Sequence, residues 1–312
     1  MAHAMPAPAQ ESSDEILRKN GRSFNFARMF LTKAQGQRSA RLYAFCRYVD
    51  DLADEASDPR HAKLVLDQVK LQLAGKQSPS GRVADFLDLA RETNIDLDVA
   101  VALIDGVASD LGIVAFETVS DLLQYAYKVA GTVGLMMCSV LDVTDPRAAP
   151  FAIDLGVAMQ LTNIARDIQE DAENGRRYVP AKWLEGACAN DIAASDTAFM
   201  PKLQAAAERL VHLAEIYYES AYDGLGFLPS RSRFAILIAA RVYRQIGVKL
   251  QRRDFAVWQG RTIVSTAEKL AVASAAGTAY LAQSRFHRRT QSHDADLHIS
   301  LQGFAGAHAV TR

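Results

Sequence analysis

The chain has 312 residues, 49% of them hydrophobic and 23% charged, with a formal net charge of −1. These values describe a soluble globular protein with enough chain for a sizeable core, and they give no ground for nucleic-acid binding through bulk charge. Cys46, Cys138 and Cys188 are scattered, with no CxxC pair, which excludes a disulfide framework or a cysteine zinc site and suits the cytoplasm.

Residues 1–13, rich in Ala, Pro, Ser and Gln, read as a disordered tail without an apolar stretch of signal-peptide length. Helical periodicity starts at Asp14. SSDEILRKNG predicts a short helix capped by Ser12 or Ser13 and stopped by Gly21. SFNFARMFLT follows, then QRSARLYAFCRYVDDLADE, with Leu42, Phe45, Cys46, Val49 and Ala53 at helical spacing and Asp58-Pro59 as its end. HAKLVLDQVKLQLAG, RVADFLDLARETN and DLDVAVALIDGVASDLG are three more amphipathic helices. SDLLQYAYKVAGTVGLMMCSVL is another, and its internal Gly131 and Gly134 call for close helix contact or for space around a ligand. The helix beginning MQLTNIARDIQEDAE comes next, and helices at FMPKLQAAAERLVHLAEIYYESAYDGL, SRFAILIAARVYRQIGVKLQRR and AEKLAVASAAGTAYLAQ complete the set. From 286 to 312 the periodicity is lost, and a second disordered tail is expected. The longest apolar run, residues 129–141, falls short of the ~18–20 residues of a membrane span. The expected architecture is all-α, a single helical domain over residues 14–285 around a central cavity.

One stretch, MQLTNIARDIQEDAENGRRYVP, organises the rest. On a helix its Gln160, Asn163, Asp167 and Asp171 share a face, with neighbouring Cβ atoms ~6 Å apart. Two carboxylates and two amides cannot face an apolar core without partners. Leu161, Ile164, Ala165 and Ile168 provide the packing stripe beside them. Asp50 and Asp54 repeat the device, with Arg47 a turn earlier. A lone DxxxD is more often a solvated face. Two of them, one beside Gln160 and Asn163 and both flanked by Asp51, Glu55 and Glu170, suit a bound cation better than stability. Mg²⁺ takes oxygen ligands and favours one or two carboxylates with phosphate oxygens and water, so a metal-bound polyphosphate is the expected ligand. Arg47, Arg166, Arg176 and Arg177 are candidates for its remaining oxygens. Hydrolysis lacks an evident base, since His287, His293, His298 and His308 fall in the expected tail. Loss of diphosphate without attacking water leaves a carbocation, which calls for a dry pocket with aromatic walls. Phe24, Phe26, Tyr43, Phe45, Tyr125, Tyr127 and Tyr178 lie in or near these helices, although aromatics at helical spacing are more often core.

LYAFCRYVDDLADE, YKVAGTVGLM and LTNIARDIQEDAENGRRYVP together resemble the squalene and phytoene synthases, the head-to-head prenyl synthases, over residues 23–270, and YKVAGTVGLM looks closest to the bacterial phytoene synthases. The resemblance implies an isoprenoid-synthase fold in which Asp50, Asp54, Asn163, Asp167 and Asp171 hold Mg²⁺, with Mn²⁺ as the alternative ion. It implies catalytic roles for Asp50, Asp54, Asp167, Asp171, Tyr43 and Tyr178. It places Ser23, Arg47, Asp51, Tyr127, Gln160, Asn163, Arg166, Tyr243 and Arg261 against the substrate. The reaction implied is condensation of two prenyl diphosphates through a cyclopropyl diphosphate, with two geranylgeranyl diphosphates giving phytoene for carotenoid biosynthesis. Farnesyl diphosphate giving squalene, dehydrosqualene or hydroxysqualene is the alternative, with NADPH needed only for squalene. A terpene cyclase is a more distant one. The segment after Asp110 lacks the basic residue and tyrosine of the family pattern, which removes the usual ground for a phosphate contact there. Chain length is expected to depend on bulk at Phe26, Leu135, Met136, Val157 and Met159. Peripheral contact with the inner membrane face, through the basic stretch 285–289, would suit an apolar product.

Overall fold

Residues 11–56, 58–194, 197–289 and 292–307 are described by a computed structural model, so most of the N-terminal tail and the last five residues lie outside it. Local sequence signals set most helix starts. α1 (Ser13–Asn20) opens with a reciprocal cap between Ser12 and Glu15 and ends at Gly21. α2 (Arg22–Arg28) is short, and α3 (Lys33–Asp54) begins where the Thr32 hydroxyl accepts from the Gln35 amide. Asp58 caps α4 (Pro59–Leu73), whose first residue is a proline that has no amide to leave unpaired. α5 (Gly81–Thr93) turns through left-handed Asn94 into α6 (Leu97–Ser109), capped by Asp96. α7 (Val119–Ala126) carries a Thr118–Asp121 capping box. It passes through a π-helical turn at Tyr127–Gly131 into α8 (Thr132–Val140).

α9 (Ala149–Glu173) is the central helix, packed against α8, the π turn, α11 (Met200–Gly224), α12 (Ser230–Gln251) and the short α10 (Ala189–Ala193). α13 (Thr266–Ala282) lies on α12 behind a Ser265–Glu268 capping box. Among the described residues the only β pairing is an isolated parallel bridge between Ala115 and Arg177. The fold is all-α, as the periodicity indicates.

Gly134 and Gly156 serve contact rather than ligand space. A Cβ on Gly134 would lie 2.1 Å from the Ala152 carbonyl oxygen, and one on Gly156 would lie 2.2 Å from that of Ala130. α8 and the π turn therefore cross α9 backbone against backbone. This draws Tyr125 and Val129 up to the polar face of α9. Two apolar clusters flank that face, one built from α3–α6 and α8, the other from α7, α9, α11 and α12.

The far C-terminal stretch departs from expectation. Phe286 and Leu301 are buried, and 3₁₀ turns form at Ser284–His287 and Ala295–Leu301. His293 and His298, read as tail residues, both reach the fully buried Asp154 at 2.8 Å. The segment has no helical period because it packs as a strap over finished helices, its contacts set by Asp154 on α9, Gln124 on α7 and Tyr217 on α11.

Candidate active site

Asp50, Ala53 and Asp54 from α3 face Gln160 from α9 across a cavity of about 170 Å³. Val107 and Asp110 from the end of α6, Tyr125 and Val129 around the π turn, and Arg176 and Tyr178 from the loop after α9 complete its lining. That volume is below the ~300 Å³ at which small-molecule pockets begin, so it has room for a polar head group and not for a long chain.

Asp110 ties the two sides together. It accepts hydrogen bonds from the Tyr125 hydroxyl at 2.7 Å and the Tyr178 hydroxyl at 3.0 Å, and the two phenols stack with centroids 4.9 Å apart. Burial, and then the Asp110 charge, push both phenols above their ordinary range, so they stay neutral donors. Asp110 itself is raised by burial, partly offset by Tyr125, Arg176 and Tyr178. No spacing rule points to Asp110, which stands alone after α6, and Tyr125 is one aromatic among several. Only the long-range fold brings them to the site.

The two aspartate sets carry more negative charge than the arginines beside them compensate. Burial raises Asp50 to about 7, helped by Asp54, Asp51 and Asp110 against the pull of Arg47. Burial likewise raises Asp171 to about 7, helped by Asp167, Glu170 and Asp110 against Arg176. Folded-state values above the ordinary carboxylate range mean that the folded protein holds these protons more tightly than the unfolded chain. Below about pH 4 neither state is ionised, and above about pH 7 both are, at full cost to the fold. Stability of the metal-free protein is therefore expected to fall as pH rises from about 4 to 7. Asp154 and Glu268, whose carboxyls are lowered, act in the opposite sense only near and below pH 4. Thermal melts of metal-free protein at pH 5.5 and 8 check this. The higher melting point is expected at pH 5.5, and Mg²⁺ with inorganic diphosphate should narrow the gap; a higher melting point at pH 8 would contradict it.

The expected arginines divide into two groups. Arg47 pairs with Asp51 at 2.5 Å, and Arg176 reaches Asp54 at 3.2 Å on the cavity rim. Arg166 holds Asp167 through Nε at 2.8 Å, and Arg261 joins from the other side at 3.3 Å while also meeting Glu170 at 3.3 Å. Arg177 is a correction. Its buried guanidinium donates to the Phe116 and Val179 carbonyls and pairs with Glu117, fastening the bridge at Ala115 instead of facing a ligand.

Tyr43 and Tyr243 both approach Phe24, at 6.1 and 5.0 Å between ring centroids, and Ser23 precedes that ring on α2. Burial pushes Tyr43 up to about 12. Tyr127 is turned elsewhere: its hydroxyl donates to the Ala305 carbonyl at 2.8 Å and its ring stacks on Phe304. Asn163 donates weakly to Gln160 at 3.4 Å, and its own carbonyl oxygen is buried without a hydrogen-bond partner.

A sequence profile described as squalene/phytoene synthase matches residues 17–268. The chain belongs to that family. It is 41% identical over 248 residues to a 15-cis-phytoene synthase of Enterobacter agglomerans, covering 75% of this chain and 83% of the relative. A 15-cis-phytoene synthase of Pantoea ananas is 39% identical over 267 residues, with 81% and 86% covered. Among solved structures, a dehydrosqualene synthase in complex with ligand superposes with a TM-score of 0.76 at 27% identity, over 87% of this chain and 96% of that one. The family accounts for an all-α prenyltransferase fold with acidic helices facing one cavity.

Proposed function

We propose that this prenyltransferase condenses two geranylgeranyl diphosphates head to head, through a cyclopropyl diphosphate, to phytoene. The observation that carries the chemistry is a pair of carboxylate sets on two helices, Asp50 with Asp54 on α3 and Asp167 with Asp171 on α9, both within the field of Asp110, with Arg176 between Asp54 and Asp171. Both are charged beyond what the nearby arginines compensate. The choice of C20 units rests on the likeness to bacterial phytoene synthases.

The donor set fits a divalent ion of the Mg²⁺ or Mn²⁺ type. It is made of oxygens alone, and the buried Asn163 carbonyl oxygen lacks a partner. Asp50, Asp54, Asn163, Asp167 and Asp171 would hold it, and the bound ion would supply charge neutralisation to the departing diphosphate. The protein's own groups do the remaining work. Arg47 and Arg176 are placed to take phosphate oxygens at the α3 rim. Arg166 and Arg261 already grip Asp167, and a diphosphate offers them an alternative partner, freeing that carboxylate. Tyr125 and Tyr178 hold neutral O–H groups toward Asp110, and Phe24, Tyr43 and Tyr243 form an aromatic wall beside Ser23. Such a wall favours an allylic cation and keeps water away from it.

NADPH has no part in the C40 reading and belongs only to the squalene alternative. The structural likeness to a dehydrosqualene synthase keeps farnesyl diphosphate as the second substrate to test. Competition between C15 and C20 diphosphates with Mg²⁺ and no NADPH decides: the C40 hydrocarbon is expected to dominate, and a predominantly C30 product would overturn the substrate assignment.

Peripheral membrane contact also changes its residues. Arg285 is committed to Glu219 and Asp223, and Arg289 to the Gly226 carbonyl, so the basic stretch is not a free tail. Ile263, Leu270 and Leu281, on and just before α13, are exposed, and residues 270–284 carry no charge. This face is the better candidate for touching lipid. Among the described residues no helix is long and apolar enough to cross a membrane.

A further inference from the structure

The strap at residues 292–307 is thinly anchored by apolar groups. Of these residues only His298, Leu301 and Ala307 are buried, and Phe304 adds a stack on Tyr127 with centroids 4.7 Å apart. Within the strap, HDADLH sets His293 and His298 at the H-x4-H spacing found among paired zinc histidines. Asp294 caps the 3₁₀ turn that carries His298. Both imidazoles are almost wholly enclosed, their side chains 3% and 2% exposed, and their rings lie 4.3 Å apart.

Both rings reach Asp154, a fully buried carboxylate on α9. His298 Nε2 lies 2.8 Å from one of its oxygens, and His293 Nε2 lies 2.8 Å from the other. That second oxygen also accepts from the Ser220 hydroxyl on α11 at 2.5 Å. The two imidazole nitrogens and the carboxylate thus offer ligand atoms within 4.8 Å of one another. His298 Nδ1 stands 2.9 Å from the Ala307 carbonyl, which can only accept, so that nitrogen carries the hydrogen. A backbone carbonyl that fixes one imidazole nitrogen, so that the other presents its lone pair, is the common arrangement behind a metal-bound histidine. In a neutral His298 the Nε2 lone pair then meets a carboxylate oxygen, and two electron pairs at that distance require a cation between them. A proton serves this one pair. A metal ion serves His298, His293, Asp154 and Ser220 together. His293 Nδ1 is buried without a partner, so its ring is tied to the protein through Nε2 alone.

We propose that Asp154, His293, His298 and Ser220 form a structural Zn²⁺ site that staples residues 292–307 to α9 and α11. Two imidazole nitrogens, one carboxylate and one hydroxyl suit a tetrahedral ion of borderline softness, whereas Mg²⁺ favours an octahedron of oxygens. Bonds of ~2.0–2.2 Å put tetrahedral ligands about 3.3 Å apart. The contacts of 2.5 and 2.8 Å therefore open by roughly half an ångström or more on binding, and the strap, which belongs to no long helix, is the part free to shift. The ion closes loops of more than a hundred residues and contributes to folding what the strap's small apolar contact lacks. The site shares no residue with the aspartate-lined cavity and does not rest on the prenyl-diphosphate reading.

The test uses untagged full-length protein, purified without chelator. It is expected to retain about one zinc per chain, measured by plasma mass spectrometry. His293→Gln and His298→Gln should each bind zinc at least ~10²-fold more weakly, beyond the cost of losing a group that only orients a ligand. Stripping the zinc with dipicolinate should lower hydrogen-exchange protection of 292–307 several-fold while α11 stays protected. Zn²⁺ should restore that protection and Mg²⁺ should not. Co²⁺ added to stripped protein should give the strong visible bands of a four-coordinate ion, absent from His298→Gln, a signature that packing alone does not produce. Circular dichroism identifies a variant that fails to fold, and the stripping experiment needs no variant. Zinc held equally by wild type and both histidine variants sits on other groups and overturns the site. So does protein that takes up no zinc from zinc-supplemented buffer, or a strap whose protection is unmoved by chelation; the cluster is then held by hydrogen bonds alone.

Discussion

Asp171→Asn is expected to lower turnover by at least ~10²-fold, about 2.7 kcal/mol of transition-state stabilisation, while leaving helical content unchanged. The reason for the loss is the Asp171 carboxylate itself, one of the oxygens proposed to hold the cation. The reason for the intact fold is equally specific. Among the described residues no side chain donates a hydrogen bond to that carboxylate, and burial beside Asp167 and Glu170 makes its charge a cost to the fold. Metal-free Asp171→Asn should therefore melt at or above the wild-type temperature at pH 8, and its stability should depend less on pH. Asp167→Ala is a poorer test, because it strips Arg166 and Arg261 of their shared partner and mixes lost chemistry with lost pairing. Steady-state rates with circular dichroism check the expectation, and near-wild-type turnover would count against a metal role for Asp171.

Gly156→Ala should act on the fold instead. The added methyl group would sit 2.2 Å from the Ala130 carbonyl oxygen, 2.5 Å from its carbon and 2.7 Å from the Gly131 nitrogen. All three are backbone atoms, so no side-chain rotation relieves the clash, and α9 must separate from the π turn. Overpacking of this kind costs ~3 kcal/mol or more, a fall of roughly 5–10 °C in melting temperature for a chain of this size. The separation would also pull Tyr125 and Val129 away from Gln160, so activity should fall with stability. Gly277→Ala on α13 is the control, since nothing lies within 4 Å of its added Cβ. It should be neutral or stabilising by up to ~1 kcal/mol. Equal melting temperatures for the two variants would contradict the close-crossing account.

The parts of the site that lie on one helix are legible from spacing. Asp50 with Asp54, and Gln160 with Asn163, Asp167 and Asp171, follow from the 3.6-residue period and from the cost of placing such groups against a core. Capping residues mark the starts of α1, α4, α6 and α7 in the same local way. What spacing cannot carry is the partner on another helix. Asp110 becomes a hub only because α6 ends beside Tyr125 and Tyr178. Arg177 looks like a phosphate ligand until the backbone carbonyls of Phe116 and Val179 enclose it. The strap is the clearest case. Its histidines are placed by Asp154, more than a hundred residues earlier, and no periodic pattern records that contact.

The most direct test of the central claim, that the two carboxylate sets ionise two prenyl diphosphates in one site, is to quantify diphosphate and hydrocarbon from the same incubation with geranylgeranyl diphosphate and Mg²⁺. Two diphosphates released per C40 hydrocarbon, with both products abolished together by chelation, is the predicted result. One diphosphate released per C20 hydrocarbon or alcohol would contradict it and identify a cyclase or hydrolase.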